Sequence, residues 1–190
     1  LDYHKTMKSY LNAKLILFKK ILNKKSTIIS NKEIPIFKIL KQIAKNKNIK
    51  ILDISKTLKK IKSINFKFNE DFKIRNLAMA IEAAKLCGLK EKLIFRSINK
   101  IKDVNGRLEL IKKYPNNVKV FVDYAHTPDA LFETLKSLKK NYGNNISLVF
   151  GCGGERDQTK RPIMGKIAND NCKKIYITDD NPRNEKPQKI

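Results

Sequence analysis

The sequence predicts an α/β fold with a parallel sheet in its second half. Short apolar strands predicted over 118–122, 147–150 and 174–178 alternate there with amphipathic helices predicted over 128–140 and 161–171. A strand–helix–strand order of this kind favours parallel strands joined by right-handed crossovers. Hydrophobic residues make up 41% of the 190 residues, which is enough for one core or for two small ones.

The first half is predicted to be mainly helical. Its leading helix spans 3–22 and carries an apolar stripe at helical spacing, which consists of Met7, Tyr10, Leu11, Leu17, Phe18 and Ile21. The other elements expected in this half are a strand at 27–30, a helix over 35–45, strands near 49–54 and 62–68, and helices over 76–86 and 91–98. Turn residues at 105–106 and 115–117 then interrupt the periodicity, so a domain boundary is expected near 106–117.

The chain is strongly basic. Lys and Arg number 42 against 18 Asp and Glu, which gives a formal net charge of +24. Such a charge is typical of nucleic-acid-binding proteins. Nearly all of it comes from lysine, however, and lysine accompanies abundant isoleucine and asparagine, which share A/T-rich codons. Genome composition therefore explains the charge as well, and a basic nucleic-acid-binding module remains an alternative.

The sequence excludes several classes of protein. No apolar run approaches the roughly 18 residues that a membrane span needs, and no secretion signal precedes the first helix. The three cysteines are widely spaced and include no CxxC pair, which argues against a disulfide scaffold or a zinc module. A reducing cytoplasm is therefore expected. Because the chain begins with Leu1 rather than Met, we also expect it to be part of a longer protein.

Polar clusters follow each strand of the predicted parallel sheet. They are DYAHTP at 123–128, GCGGERD at 151–157 and DDNPR at 179–183. Loops at the carboxyl ends of parallel strands share one edge of the sheet, where open α/β folds bind ligands, so a site is expected there. The glycine cluster lacks the GxxxxGK[ST] spacing of a phosphate loop, but it allows close backbone approach beside Arg156, a candidate carboxylate clamp. The acid, amide and guanidinium of the third cluster suit a zwitterionic ligand.

Asp123 and His126 allow a different interpretation. They are a candidate metal pair, as in a metal-dependent hydrolase, although two ligands make an incomplete set. A polar turn, closed by Thr127 as a helix cap and Pro128 at the first helical position, explains them equally well.

Lys14 lies within the predicted apolar stripe of the first helix. Burying an ammonium group is costly, so a buried lysine is more often neutral. A neutral amine can add carbon dioxide to form a carbamate, whose oxygens suit Mg²⁺. From the residues alone, a lysine that extends its amine to solvent is the favoured interpretation.

The motifs together resemble the Mur ligase family. The resemblance rests on LDYH at 1–4, Met7, Tyr10, Ala13-Lys14, Asn105-Gly106-Arg107, Glu109, DYAHTPDAL at 123–131, FGCGGERD at 150–157, KRPIMG at 160–165 and TDDNPR at 178–183. These motifs occur in order along the chain, and 23–70 contributes little. The resemblance implies the end of a central ATPase domain over 1–112, followed by the start of a Rossmann-like parallel α/β ligase domain over 113–190.

The resemblance also implies an activity. It is the ATP-dependent addition of meso-2,6-diaminopimelate to UDP-N-acetylmuramoyl-L-alanyl-D-glutamate through an acyl phosphate, in cytoplasmic peptidoglycan synthesis, with Mg²⁺ offsetting phosphate charge. The matching positions are Lys14 as the carbamylated lysine linked to Mg²⁺, Asn76, Arg107 and Asp123 as nucleotide contacts, and Arg156, Asp180, Asn181, Pro182 and Arg183 as contacts of meso-diaminopimelate. Because Lys14 matches that position, the resemblance favours a carbamylated Lys14 over the solvent-exposed amine that the residues alone favour. His126 receives no specific role.

Some family features are missing from the chain. The phosphate loop, the UDP-binding domain and the acceptor-site residues that follow the DNPR motif are absent. We therefore expect a fragment without ligase turnover of its own, taken from a monomeric enzyme that binds neither nucleic acid nor membrane. Lysine-adding and folate-linked relatives of the superfamily remain alternatives. The guanidinium of Arg183 argues against both, because it suits the extra carboxylate of diaminopimelate.

Overall fold

The contacts of the chain divide it into two units, Tyr3–Ile101 and Lys102–Ile190. The structure, a computed structural model, describes residues 3–64 and 70–190. Both units contain helices and strands, and the predicted α/β class is confirmed. Within the described residues, no helix is long and apolar enough to cross a membrane.

The first unit combines a short parallel sheet with helices. Strands β1 and β2 pair in parallel, with Thr27 opposite Lys50 and Ser30 opposite Asp53. Its elements are α1 Met7–Ile16, a π-helical turn Leu17–Ile21, β1 Thr27–Ser30, α2 Phe37–Lys47, β2 Lys50–Asp53, α3 Ser55–Lys62, α4 Asp71–Leu86 and α5 Glu91–Ile98. The predicted strand at 62–68 is not found at Lys62, which ends α3, and 65–69 lie outside the described residues.

The first helix is confirmed from Met7 onwards, but its predicted apolar stripe is correct only at Leu11 and Phe18. Met7 is 64% exposed, whereas Leu15 is only 3% exposed and packs in the cluster that contains Leu40 on α2. The buried face therefore runs through Leu11, Leu15, Phe18 and Leu22, and Lys14 is exposed. Apolar residues cover two adjacent faces of this helix, and packing against α2 determines which one is buried.

The second unit contains two separate strand pairs. Its elements are β3 Glu109–Lys113, β4 Lys119–Val122, α6 Pro128–Tyr142, β5 Ser147–Phe150, α7 Lys160–Asn171, β6 Lys174–Ile177 and a 3₁₀ turn Pro187–Lys189. Strands β5 and β6 pair in parallel, as predicted. Helix α6 starts as predicted, because the Thr127 hydroxyl accepts a hydrogen bond from the Ala130 amide at 3.3 Å and Pro128 follows it.

The predicted sheet of three parallel strands is wrong at β4. That strand pairs antiparallel with β3, with Glu109 opposite Val122, and among the described residues no pairing joins it to β5. A tight turn explains the hairpin. The Tyr114 amide donates to the Val118 carbonyl at 2.8 Å, and Asn117 adopts a left-handed φ of 62°. The predicted domain boundary after 112 falls inside β3, whose partner strand lies in the second unit.

The described residues form two buried clusters in the first unit, including the one with Leu40, and one in the second. In the first unit, Ile54, which precedes α3, packs with Ile61 of α3 and Ile81 of α4. In the second unit, Leu131 and Leu135 of α6 pack against Met164 of α7. Partly buried side chains of β5, including Phe150, cover this last cluster. The loops that leave β5 and β6 therefore start from a packed scaffold.

Candidate functional site

The loops that follow β5 and β6 lie against each other, as the parallel pairing predicts. The Gly154 amide donates to the Asn181 carbonyl at 2.9 Å, and the Thr178 amide donates to the Phe150 carbonyl at 3.1 Å. The approach requires glycine. A Cβ atom at Gly151 would lie 2.2 Å from the Thr178 carbonyl oxygen, and one at Gly154 would lie 1.9 Å from the Pro182 carbonyl oxygen. We call 151–157 the glycine loop and 178–185 the DNPR loop.

Arg183 reaches from the DNPR loop to the glycine loop. Its Nη1 donates a hydrogen bond to the Gly154 carbonyl oxygen. The backbone of Arg183 has a φ of 51°, in the left-handed region that residues other than glycine seldom occupy. The side-chain oxygen of Asn181 accepts from the Arg183 amide at 3.3 Å and supports that conformation. Asn181 thus shapes the loop that carries Arg183.

An ion pair connects the DNPR loop to α7. Arg161 donates through both terminal nitrogens to the Glu185 carboxylate, at 3.0 and 2.9 Å. The Glu155 amide also donates to Glu185, and Asn184 donates to the Glu155 carboxylate at 2.7 Å. Arg161 and the Glu155 amide together lower the pKa of Glu185 to about 2, so it is ionised at neutral pH. Arg161 lies in the KRPIMG motif, but no motif or period predicts its pairing with Glu185, because the two are 24 residues apart.

A cavity of about 580 Å³ opens where the two loops meet α7. Gly151, Asp180 and Pro182 line it, together with Arg161 and Gln158 of the α7 side. Arg156 is exposed and is not among its lining residues, and neither is Arg183. Of the predicted acceptor residues, the structure therefore places Asp180 and Pro182 at the cavity, with Arg183 bonded to the adjoining glycine loop.

The loop after β4 has its own internal network. Asp123 accepts from the Tyr124 amide at 2.7 Å and from the Thr134 hydroxyl on α6. The Arg107 guanidinium carbon lies 4.5 Å from the centroid of the Tyr124 ring, a cation–π distance. The structure thus connects two of the predicted nucleotide contacts, Arg107 and Asp123, through Tyr124. Sequence reasoning did not single out Tyr124, although its place beside Asp123 in the motif was available as a signal.

The same loop also contacts α7. Lys160, at the start of α7, donates to the His126 carbonyl at 2.8 Å. This bond holds the loop after β4 against α7, although β4 does not pair with β5. The His126 ring nitrogen Nδ1 lies 3.0 Å from the Tyr124 carbonyl oxygen.

The two remaining predicted residues lie in the first unit. Asn76 is exposed on α4. Lys14 is exposed on α1, with its amine 5.3 Å from the centroid of the Tyr10 ring. The burial that would favour a neutral Lys14 amine is therefore not found, and a carbamate at this position rests on the family pattern alone.

The described residues do not fit a metal site built by the chain itself. No group of three or more His, Cys, Asp or Glu side chains among them is arranged to hold an ion. Asp123 is engaged by Thr134 and by its own loop, so the candidate Asp123–His126 pair acquires no third ligand in the described part.

Family comparisons match both units. The Mur ligase middle domain matches 1–88, and the Mur ligase glutamate ligase domain matches 106–190. The chain belongs to the Mur ligase family. The predicted order, a Mur ligase middle domain followed by a C-terminal ligase domain, is confirmed, and the two matches are separated around the division between the units at 101–102.

Individual Mur ligases are similar over the whole chain. A protein of Rickettsia bellii named UDP-N-acetylmuramoyl-L-alanyl-D-glutamate–2,6-diaminopimelate ligase is 38% identical over 100% of this chain and 44% of its own length. A solved structure of the same name has a TM-score of 0.54 and 28% identity, over 99% of this chain and 43% of its own. The chain therefore spans less than half the length of the relatives it matches. Helicobacter pylori folylpolyglutamate synthetase, at 19% identity, 94% and 46% coverage and a TM-score of 0.52, shares the fold alone.

Proposed function

We propose that the chain is part of a cytoplasmic ATP-dependent ligase that adds meso-2,6-diaminopimelate to UDP-N-acetylmuramoyl-L-alanyl-D-glutamate. The observation that carries the proposal is the match, over the whole of this chain and 44% of the relative, to the Rickettsia bellii protein named as the diaminopimelate ligase, at 38% identity. The docked glycine and DNPR loops support it, because Asp180 lines the cavity and the Arg183 guanidinium bonds the adjoining glycine loop.

The proposed reaction has two steps. The γ-phosphoryl group of ATP is transferred to the side-chain carboxylate of the D-glutamyl residue, and ADP leaves. The amine of diaminopimelate then attacks the acyl carbon, the bond from that carbon to the phosphate oxygen breaks, and inorganic phosphate leaves as the amine loses a proton. Positioning the amine against the acyl phosphate supplies much of the rate in a reaction of this kind.

The second unit supplies the proposed acceptor contacts. Arg183 uses Nη1 for the Gly154 carbonyl, and a guanidinium has five N–H donors, so donors remain for a carboxylate of diaminopimelate. Asp180 lines the cavity and is assigned to the acceptor amine. Arg156 is exposed in the glycine loop and is assigned to the second carboxylate.

The proposed nucleotide contacts are Asn76, Arg107 and Asp123. Arg107 and Asp123 are linked through Tyr124, which supports a shared role. Mg²⁺ is part of the proposal because it offsets the charge of the phosphates. The described residues offer no cluster of metal ligands, so we assign no step of the reaction to a metal held by the chain, and Lys14 is the proposed Mg²⁺-linked residue only as a carbamate.

A chimaera tests the proposal without assuming that the chain is active alone. The segment of the Rickettsia bellii ligase that aligns with the chain is replaced by this sequence, and ADP release is measured with the UDP-linked dipeptide. Activity with meso-diaminopimelate well above that with L-lysine is expected. Preference for L-lysine, or glutamate addition to a folate instead, would refute the acceptor assignment.

Arg183 is then changed in the active chimaera. Charge-assisted hydrogen bonds contribute about 1.5–3 kcal/mol, so Arg183→Ala is expected to raise the KM for diaminopimelate about 10-fold to 100-fold. The KM for ATP should change less than about twofold on the same reasoning. Arg96→Ala, at an exposed arginine of α5, serves as the control and should change neither value. Equal losses for diaminopimelate and ATP would contradict the role of Arg183.

A further inference from the structure

The Arg161–Glu185 ion pair differs in geometry from the Glu133–Lys136 pair of the same unit. Its two hydrogen bonds are 2.9 and 3.0 Å long, and the side chains are only 11% and 19% exposed. The pair between Glu133 and Lys136 on α6 is 4.0 Å long, and its side chains are 43% and 63% exposed. Short bidentate pairs shielded from water orient their partners, whereas exposed pairs contribute little.

Glu185 is a junction of three segments. It accepts from Arg161 on α7 and from the Glu155 amide of the glycine loop, and it belongs to the DNPR loop itself. Glu185 lies two residues after Arg183, whose guanidinium bonds the Gly154 carbonyl. The DNPR loop is therefore bonded to the glycine loop both before and after Arg183. The Asn181 carbonyl accepts from the Gly154 amide, and the Glu185 carboxylate accepts from the Glu155 amide.

The pair is also needed to compensate a largely shielded charge. Arg161 Nε is buried and has no hydrogen-bond partner among the described residues. The two terminal nitrogens both bond Glu185, whose negative charge balances the guanidinium. Removing one member of such a pair leaves a charge with poor solvation. Both the DNPR loop and the start of α7 would then rearrange.

We propose that Arg161 and Glu185 are positioning residues, which lock the DNPR loop against the glycine loop and thereby orient the Arg183 guanidinium for the acceptor amino acid. The consequence for acceptor use rests on the proposed function. The loop-locking part does not, because it concerns bonds within the chain.

Hydrogen exchange tests the loop-locking part on the chain as it is. Glu185→Gln keeps the shape of the side chain but removes its charge, so the Glu155 amide should exchange at least about 10-fold faster, as should the Gly154 amide that depends on the same docking. Glu133→Gln is the matched control, because it removes a carboxylate from an exposed pair of the same unit. Unchanged protection of both amides in Glu185→Gln would overturn the proposal.

Kinetics in the chimaera tests the orienting part. Glu185→Gln and Arg161→Gln are each expected to raise the KM for diaminopimelate about 10-fold, with the KM for ATP changed less than about twofold. The double variant should be no worse than the poorer single one, because both changes break the same contact. Additive losses, or equal losses for diaminopimelate and ATP, would show general destabilisation and overturn the orienting role.

The two experiments separate this inference from the proposed function. If the unmodified chimaera does not use diaminopimelate, the proposed function fails, and the exchange experiment still decides whether the pair locks the loops. If the chimaera is active but Glu185→Gln leaves the KM for diaminopimelate unchanged, the positioning role fails while the proposed function stands.

Discussion

Gly154→Ala is predicted to destabilise the second unit because the glycine and DNPR loops leave no room for a side chain. An added Cβ would lie 1.9 Å from the Pro182 carbonyl oxygen and 2.6 Å from its carbon. Both are backbone atoms, which cannot rotate away as a side chain can, so the loops must separate. Gly154 does not have a left-handed φ, so backbone strain at alanine does not enter.

The magnitude follows from two losses. Overpacking a well-packed site costs about 1–3 kcal/mol. Separating the loops also breaks the bond between the Gly154 amide and the Asn181 carbonyl, which adds about 1 kcal/mol. A total of about 2–4 kcal/mol corresponds, at about 4–8 °C per kcal/mol for a domain of this size, to a fall in Tm of at least about 8 °C.

Gly165→Ala provides the matched control. It lies in α7, in the same unit, and an added Cβ would meet nothing within 4 Å. Alanine in a helix is favoured over glycine by about 0.5–1 kcal/mol, so this variant should be slightly more stable than the unmodified chain.

The assay must report on the second unit alone, because the chain has two units. Urea unfolding does so when it is monitored through the hydrogen exchange of peptides from β5 and β6. If Gly154→Ala stayed within about 0.5 kcal/mol of the unmodified chain, inside the range of ordinary surface substitutions, the close docking of the two loops would be refuted.

Three further changes test the rest of the fold. Leu135→Ala removes a side chain that is 1% exposed in the α6–α7 core and should cost about 2–5 kcal/mol in urea unfolding of the second unit. Thr127→Ala removes the cap of α6 and should cost about 1 kcal/mol in the same assay; a neutral result would contradict the capping bond to Ala130. Hydrogen bonds from Lys60 and Lys85 lower the pKa of Glu91 from 4.5 to about 2. Its contribution to stability is therefore present above pH 4.5 and is lost as the pH falls towards 2, so Glu91→Gln should narrow the difference between melting temperatures at pH 5 and pH 2.5.

Much of the secondary structure was predictable because local signals determined it. The strands Thr27–Ser30 and Ser147–Phe150 and the helix Glu91–Ile98 lie where the sequence predicts them. Strand β3 was missed, because Glu109–Lys113 holds only two apolar residues and its pairing depends on β4.

The candidate site was predictable only in part. The parallel pairing of β5 and β6 follows from the order of their elements, so the sequence predicts that their loops meet. The stacking of Arg107 on Tyr124 and the pairing of Arg161 with Glu185 join residues 17 and 24 positions apart. No helical or strand period connects such residues, and sequence reasoning missed both contacts.

The sequence by itself determined the family resemblance, the order of helices and strands from β4 to β6, and the chemical types gathered at the ends of β5 and β6, because motifs, caps and periodicity are local. Only the tertiary structure decided which face of α1 is buried, which strand pairs with β4, and which groups surround Arg183 and Lys14. In each of these cases, local sequence signals favour the alternative contacts about equally, so the tertiary packing decides between them. Packing against α2 exposes Lys14, the turn at Asn117 pairs β4 with β3, and the close contact at Gly154 brings Arg183 to the glycine loop.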